Sequence, residues 1–180
     1  MRVIAGRYGG RRLTAPRGRT TRPTSERVRE ALFAMLGDVE GASVLDLFAG
    51  TGALGIEALS RGAGRAVFVE PDRGAIEAIE TNIAALGVSG EQAQVRRERA
   101  DEALKRARKR KETYDLVLID PPYERALELE TALSTALPAL LAPRARVVTE
   151  SDRRTPLHLG LALEKQRRYG DTTIAIHRYA

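Results

Sequence analysis

The sequence predicts an α/β fold: a seven-stranded, mostly parallel sheet with helices on both faces, preceded by an N-terminal β-hairpin extension. Three observations carry this. Residues 43–57 run from a short apolar stretch, through closely spaced glycines, into a helix-like pattern, and strand, tight turn, helix is the opening unit of a parallel βαβ fold. Residues 65–70 and 114–120 are further apolar runs of strand length, each ending on an acid. At 180 residues, 43% of them apolar, the chain has the length of one domain with a full-sized core.

Composition narrows the class. No window approaches the ~20 apolar residues that a membrane span needs. The first residues, Met-Arg-Val-Ile-Ala-Gly-Arg-Tyr, have no signal-peptide core, so a soluble, cytoplasmic protein without a membrane partner is expected. There is no cysteine, which removes disulfides, thiolate metal sites and thiol nucleophiles together. His158 and His177 are too few and too far apart to suggest a zinc site, and no metal is expected. The net charge of +6 is unevenly placed: residues 1–30 hold nine arginines against Glu26 and Glu30, leaving the rest of the chain close to neutral. An arginine excess in one segment points to phosphate, which the guanidinium fork bonds bidentately, and so to nucleic acid. The plainer reading is a solubilising tail.

In order along the chain, residues 2–14 read as a β-hairpin around Gly6-Arg-Tyr-Gly-Gly10, whose glycines supply the positive φ of a tight turn. Residues 15–23, with Pro16, Gly18 and Pro23 among arginines, read as an extended arm. Thr24 can cap a helix to Leu36, with Val28, Ala31, Leu32, Met35 and Leu36 as its core stripe and Gly37 as its stop. After the first βα unit, Gly62 and Gly64 flank the helix end and 65–70 form the second strand. Asp72 can cap a helix with Ile76, Ile79, Ile83 and Leu86 at helical spacing, closed by Gly87. Residues 92–97 make a weak third strand suited to a sheet edge. Residues 98–104 lead into a helix ending in Lys105-Arg-Ala-Arg-Lys-Arg-Lys111, either a solvated face or an auxiliary RNA contact. Leu129, Leu133, Leu137 and Leu140 form a helix stripe that Pro138 can kink. Residues 146–150 are a fifth strand; 159–168 and 172–179 are a final antiparallel pair around Tyr169-Gly-Asp171.

The glycine turn alone leaves two cofactor classes open. Gly50-Thr51-Gly52-Ala53-Leu54-Gly55 satisfies G-x-G-x-x-G, and Glu70 lies 20 residues after Gly50, near where a ribose-binding acid falls. A nicotinamide-dependent dehydrogenase is therefore one reading. Against it stands Asp46 at the end of the strand, since a carboxylate there repels a pyrophosphate and attracts a cation. Asp46-Leu-Phe-Ala-Gly-Thr-Gly52 resembles motif I of the class I S-adenosylmethionine-dependent methyltransferases in its D-x-F-x-G-x-G form. The resemblance implies a Rossmann-like fold and S-adenosylmethionine as cofactor, with S-adenosylhomocysteine as product. The residues it assigns to the cofactor are Asp46, Phe48, Ala49, Gly50, Thr51, Gly52, Gly55, Glu70, Pro71 and Asp120. In this class an Asp or Asn usually bonds the adenine amine at the end of the third strand; this sequence has Arg99 there. The contact is left open among Arg99, the Ala100 backbone and Asp101.

A second resemblance covers nearly the whole chain. Gly-Arg-Tyr-Gly-Gly-Arg-Arg-Leu, followed by Arg-Pro-Thr-Ser-Glu-Arg-Val-Arg-Glu-Ala-Leu-Phe, resembles the bacterial methyltransferases that modify guanine N2 of small-subunit (16S) ribosomal RNA. It implies division into a hairpin and basic RNA-binding arm, 1–23, and a methyltransferase domain, 24–180. Ribosomal RNA or a small-subunit assembly particle is the implied partner of a monomeric enzyme. Arg7, Tyr8, Arg11, Arg12, Arg22, Pro23, Thr24 and Arg27 are its implied RNA contacts, with Tyr8 at the hairpin tip.

Asp120-Pro-Pro-Tyr123, delivered by a buried strand, resembles motif IV of amino-methyltransferases acting on adenine N6 and guanine N2. An exocyclic amine conjugated to a purine is a poor nucleophile, and acceptors suited to a more tetrahedral nitrogen improve it. Asp120 and the Pro121 carbonyl can provide them, while Tyr123 offers a face for the base to stack on; these three are the candidate catalytic residues. The proton can leave to Asp120 or to water. Without a cysteine nucleophile, covalent pyrimidine C5 methylation is excluded. An adenine-N6 methyltransferase on DNA or RNA and a non-catalytic RNA-binding assembly factor are the alternatives.

Overall fold

A computed structural model describes residues 1–16, 25–122 and 126–180. Its strands are β1 (Ser43–Asp46), β2 (Arg65–Val69), β3 (Ala93–Arg96), β4 (Tyr114–Ile119), β5 (Leu141–Asp152), β6 (Ala162–Tyr169) and β7 (Thr172–Arg178). They form one sheet in the order β3-β2-β1-β4-β5-β7-β6. The first five strands are mutually parallel, and β7 runs antiparallel to both β5 and β6. The seven-stranded, mostly parallel sheet expected from the apolar runs is therefore present. The last pair is antiparallel as expected, with the final strand inserted between its two predecessors.

The helices are α1 (Glu26–Leu36), α2 (Ala53–Ser60), α3 (Arg73–Leu86), α4 (Ala100–Lys109) and α5 (Ala126–Ala136). Helices α1 to α3 pack with the N-terminal segment on one face of the sheet, where Val3, Tyr8, Leu13, Leu32, Phe33, Ile56, Phe68 and Leu118 share a core. On the other face α4 and a 3₁₀ turn (Leu137–Leu140) cover Leu47, Val69, Val117 and Val147. The alternation of Leu45 and Leu47 to one face with Val44 to the other follows from the period of a strand. No helix among the described residues is long and apolar enough to cross a membrane.

Several local expectations are met through their stated causes. Asp72 accepts from Ala75 N at 2.9 Å and caps α3, and Gly87 closes it at φ +67°. Gly37 ends α1 at φ +77°. Thr24 lies outside the described residues; Ser25 caps α1, its Oγ accepting from Val28 N at 3.2 Å. The α1 stripe differs, since the buried set is Arg29, Leu32, Phe33, Met35 and Leu36. Helix α5 gives way at Leu137 to the 3₁₀ turn that carries Pro138. The fifth strand is longer than 146–150, with an irregular register between Tyr114 and Leu116 of its partner. Pro143 offers no N–H there and Arg144 has φ +65°, so the ladder breaks without ending. Strand β6 forms one edge of the sheet, is exposed along nearly its whole length, and carries Leu163, Lys165, Arg167 and Arg168.

The N-terminal hairpin is the main departure. Residues 2–14 fold back on themselves, with Val3 N donating to Arg11 O and Leu13 N to Met1 O, but only one antiparallel bridge forms, between Arg2 and Arg12. Between the arms, the donors that would build a ladder go to α2 instead. Ile4 N and Ala5 N donate to the Glu57 carboxylate at 2.7 and 3.1 Å, Arg7 N to Ser60 O at 2.6 Å, and Tyr8 N to Ser60 Oγ at 2.9 Å. The segment is thus docked by main-chain bonds to the helix that follows the glycine turn.

Candidate active site

The site is assembled where β1 ends. Leu47 N donates to Leu118 O of β4, and Ala49 N to Val69 O of β2, both at 3.0 Å, so the chain leaving β1 stays laced to both neighbours. It then turns sharply: Gly50 has φ +53° and Gly52 φ +77°, conformations that L side chains rarely adopt. A side chain at Gly50 would meet nothing within 4 Å, so the turn is open on that side. Gly55 is the reverse case. A Cβ there would fall 2.4 Å from Phe68 Cε1, and the glycine lets α2 lie against β2.

Two acids close the turn from below. Asp46 is 1% exposed and its Oδ2 accepts from Gly55 N at 2.9 Å, bridging the loop from strand end to helix start. Burial pushes its carboxyl up to about 7, the charge of nearby Glu70 acts in the same direction, and the Gly55 bond opposes both. Glu70, at the carboxyl tip of β2, is also buried; Oε2 accepts from Gly50 N and Oε1 from Asp72 N, each at 2.9 Å. A carboxylate has roughly four lone-pair sites, so each oxygen of Glu70 keeps one for a further donor. Buried acids around an open glycine turn suit a ligand with cationic and hydroxyl groups, and the residues present fit such a group.

The remaining predicted cofactor residues divide. Ala49 is buried, Phe48 packs on the α4 face, Thr51 is half-buried and Pro71 is exposed. Arg99 is the N-cap of α4 and exposed, its Nε donating to Asp101 Oδ1 at 3.3 Å, while Ala100 is buried beneath it. A neighbouring acid joins them without a motif to announce it: Glu98 is 6% exposed, and Arg106 Nη2 lies 3.1 Å from its Oε2. Asp120 follows β4, the strand beside β1, so its half-buried backbone position lies next to the glycine turn. Pro121 is buried and Pro122 exposed. Tyr123 lies outside the described residues. Among the described residues no group of three His, Asp or Glu side chains is placed to hold a metal ion.

The predicted RNA contacts are sorted differently from the expectation. Arg7, Arg11, Arg12 and Arg27 are exposed. Arg11 Nη2 donates to Ala85 O at 3.1 Å, tying the loop to the end of α3. Tyr8 does not project from a tip: it is buried in the core beside α2, with the Arg7 guanidinium 5.5 Å over its ring. Docking on Ser60 pulls it inward. Arg22, Pro23 and Thr24 lie outside the described residues. Arg29, one of the nine arginines, is fully buried. It donates from Nη2 to Arg2 O, and its Nε lies 3.7 Å from Glu57 Oε2. Burial pushes its pKa down, against the pull of Glu57.

Glu57 and Asn82 support the site without belonging to any motif. Glu57 is fully buried and also accepts from Arg61 Nε at 2.7 Å. Asn82 is 2% exposed; its Oδ1 accepts from Thr14 N at 2.7 Å, and its Nδ2 donates to Thr14 O at 3.0 Å and Thr51 O at 3.2 Å. The available signal is a polar residue on an otherwise apolar stripe, Glu57 between Leu54 and Leu59 and Asn82 beside Ile79 and Ile83.

Comparison with known proteins places the chain. The family model described as "Conserved hypothetical protein 95" matches residues 1–178. The chain is 40% identical to a Bacillus subtilis (strain 168) protein provisionally named rRNA methyltransferase YlbH, over 99% of this chain and 98% of that protein. It is 37% identical to Ribosomal RNA small subunit methyltransferase D of Escherichia coli (strain K12), over 84% of this chain and 75% of that protein. Among solved structures, the Escherichia coli protein yhhF, provisionally described as a methyltransferase, superposes with a TM-score of 0.82 at 33% identity, covering 99% of this chain and 97% of the other.

Proposed function

The chain belongs to the Conserved hypothetical protein 95 family, and on that premise we propose that it transfers a methyl group from S-adenosylmethionine to the exocyclic N2 of a guanine in small-subunit ribosomal RNA. The observation that carries the reading is the juxtaposition of two chemistries at one sheet edge. The turn after β1 is lined by Asp46 and Glu70, and the Asp120-Pro121 loop leaves the adjacent strand. The names of its relatives in Bacillus subtilis and Escherichia coli support the ribosomal RNA substrate.

S-adenosylmethionine supplies, when bound, an electrophilic methyl group on a sulfonium. Glu70 accepts the ribose hydroxyls at the lone pairs that its backbone bonds leave over, and Asp46 places negative charge beneath the cationic end. A bound cation favours the charged form of Asp46, so binding below pH about 7 releases a proton from it. Asp120 and the Pro121 carbonyl accept from the amine N–H groups and aim its lone pair; Tyr123 stacks on the base. Holding the reactants in line is the main task, and positioning of this kind is worth on the order of 7–11 kcal/mol. Arg7, Arg11, Arg12 and Arg27 hold the RNA by its phosphates on the α1–α3 side of the sheet, and Arg22 adds a further phosphate contact. The enzyme acts as a monomer in the cytoplasm.

Incubating the pure protein with small-subunit ribosomal RNA and labelled S-adenosylmethionine, then digesting to nucleosides, tests the reading. N2-methylguanosine is the expected product, absent with Asp120→Ala. N6-methyladenosine would replace this assignment with the adenine alternative. No transfer by a protein that still binds the RNA would favour the assembly-factor reading.

A further inference from the structure

Asn82 is the one side chain, among the described residues, that bonds both the turn assigned to the cofactor and the segment that leads into the basic arm. It lies on the buried side of α3 and behaves as a main-chain mimic. Its amide takes both polar atoms of Thr14, the N–H at 2.7 Å and the carbonyl at 3.0 Å, as a neighbouring strand would. The second hydrogen of the same Nδ2 goes to the carbonyl of Thr51, between the two positive-φ glycines. The three bonds form a continuous link, Thr14 to Asn82 to Thr51, with one short amide between the two backbones. Thr14 itself is exposed and stands three residues before Arg17, the first arginine of the arm in sequence.

Resting on the function proposed above, we infer that Asn82 is a positioning residue that couples RNA binding to cofactor binding. RNA held by the arginines on either side of Thr14 fixes the Thr14 backbone. The fixed backbone orients the Asn82 amide, which holds the Thr51 carbonyl and with it the Gly50-Thr51-Gly52 turn in its binding shape. The cofactor, by ordering the turn, holds Thr14 in return; coupling between two binding sites is reciprocal by thermodynamic necessity. Neither ligand touches Asn82.

The coupling is read as a ratio. Calorimetry gives the Kd of S-adenosylhomocysteine for the full chain with and without saturating small-subunit ribosomal RNA, the product being used so that no turnover intervenes. In the unaltered protein RNA should tighten product binding about tenfold, within the usual range of allosteric coupling. Asn82→Asp keeps the acceptor for Thr14 N and loses both donors. Thr14→Pro leaves α3 intact and removes the N–H that Asn82 holds, while fixing φ at position 14. Each should bring the ratio to within about twofold of one while RNA and product still bind singly. Should Asn82→Asp fail to fold, Thr14→Pro alone decides. A bond that merely stabilises the fold would lower the Tm and leave the ratio at about ten, which would overturn the inference. So would a ratio near one in the unaltered protein when both ligands bind. If the unaltered protein binds product or RNA not at all, the functional reading fails first and the coupling with it.

Discussion

Residues 1–30 and residues 105–111 are the two cation-rich stretches, nine arginines in one and six cations in seven residues in the other, and the fold treats them in opposite ways. The described residues of the first, 1–16 and 25–30, lie on the α1–α3 side of the sheet, built into the core by Val3, Tyr8, Leu13 and the buried Arg29–Glu57 pair. Its exposed arginines among the described residues are presented by a backbone held at Glu57, Ser60 and Asn82. The second spans the last turn of α4 and the two residues after it, on the other side. There Ala103, Leu104 and Ala107 face inward and every cation is exposed, with Arg106 and Arg110 leaning on nearby acids. Cations near a helix C-terminus also complement its dipole, which is reason enough for them to be there. Density of charge is high in both; only in the first stretch is a non-helical backbone pinned to buried side chains of other elements, Glu57 and Asn82.

The contrast between the two stretches can be tested directly. The largest effect expected is on stability. Glu57→Ala strands Arg29 as a buried charge and frees the donors of Ile4, Ala5 and Arg61, and breaking a buried pair costs about 3–5 kcal/mol; urea unfolding should show it, whereas Lys109→Ala should stay within about 0.5 kcal/mol. A loss below about 1 kcal/mol at Glu57 would mean that the N-terminal segment is not anchored as described. Next comes RNA affinity. Replacing Arg7, Arg11 and Arg22 by Ala should weaken binding and lower the salt slope by about two, at ~0.7 per phosphate for single strands, with product affinity unchanged. The same number of Ala changes at Arg108, Lys109 and Arg110 should leave the slope alone, and equal slopes would erase the distinction between the two stretches.

A smaller effect follows from Asp46. Its folded-state pKa is raised to about 7 from an ordinary value of 3.8, so the free protein loses stability as pH rises through that window and regains it on acidification. Ligand binding runs the other way. Affinity for S-adenosylmethionine should be steady above pH about 7 and weaken below it, by at most about tenfold per pH unit for one proton. Asp46→Asn, which can still accept from Gly55 N, should flatten that profile at a lower affinity. Gly55→Ala, whose methyl must displace Phe68, tests the close approach of α2 to β2; overpacking of this sort costs about 1–3 kcal/mol, visible as a lowered Tm.

The strands and the glycine turn are legible in the sequence because their signals are local: apolar runs of strand length, an acid at the tip, glycines where φ is positive. Asp46, Glu70 and Asp120 can be placed on one edge because the ends of parallel strands converge there. Pairing of polar groups across long separations leaves no such trace. Nothing near Arg29 says that its partner is Glu57, or that Tyr8 points inward, because both outcomes depend on where α2 docks. The hairpin is met as a fold-back with one antiparallel bridge rather than a ladder for the same reason: its glycines announce a turn, but whether the flanking donors pair across it or bind a helix is settled by the helix. The insertion of β7 between β5 and β6 is likewise a matter of chain return, invisible to periodicity.

Strand β6, an outermost ribbon of eight residues with Leu163 54% exposed, offers a second molecule the row of backbone N–H and C=O groups on the side that β7 does not pair. Lys165, Arg167 and Arg168 stand along it as like-charged sentries, a common guard on such margins. Their reach shrinks to about 3 Å in roughly 1 M salt. Concentrated, salty stocks are accordingly where this protein should begin to stick to itself, margin to margin, and dilution into low salt should undo it.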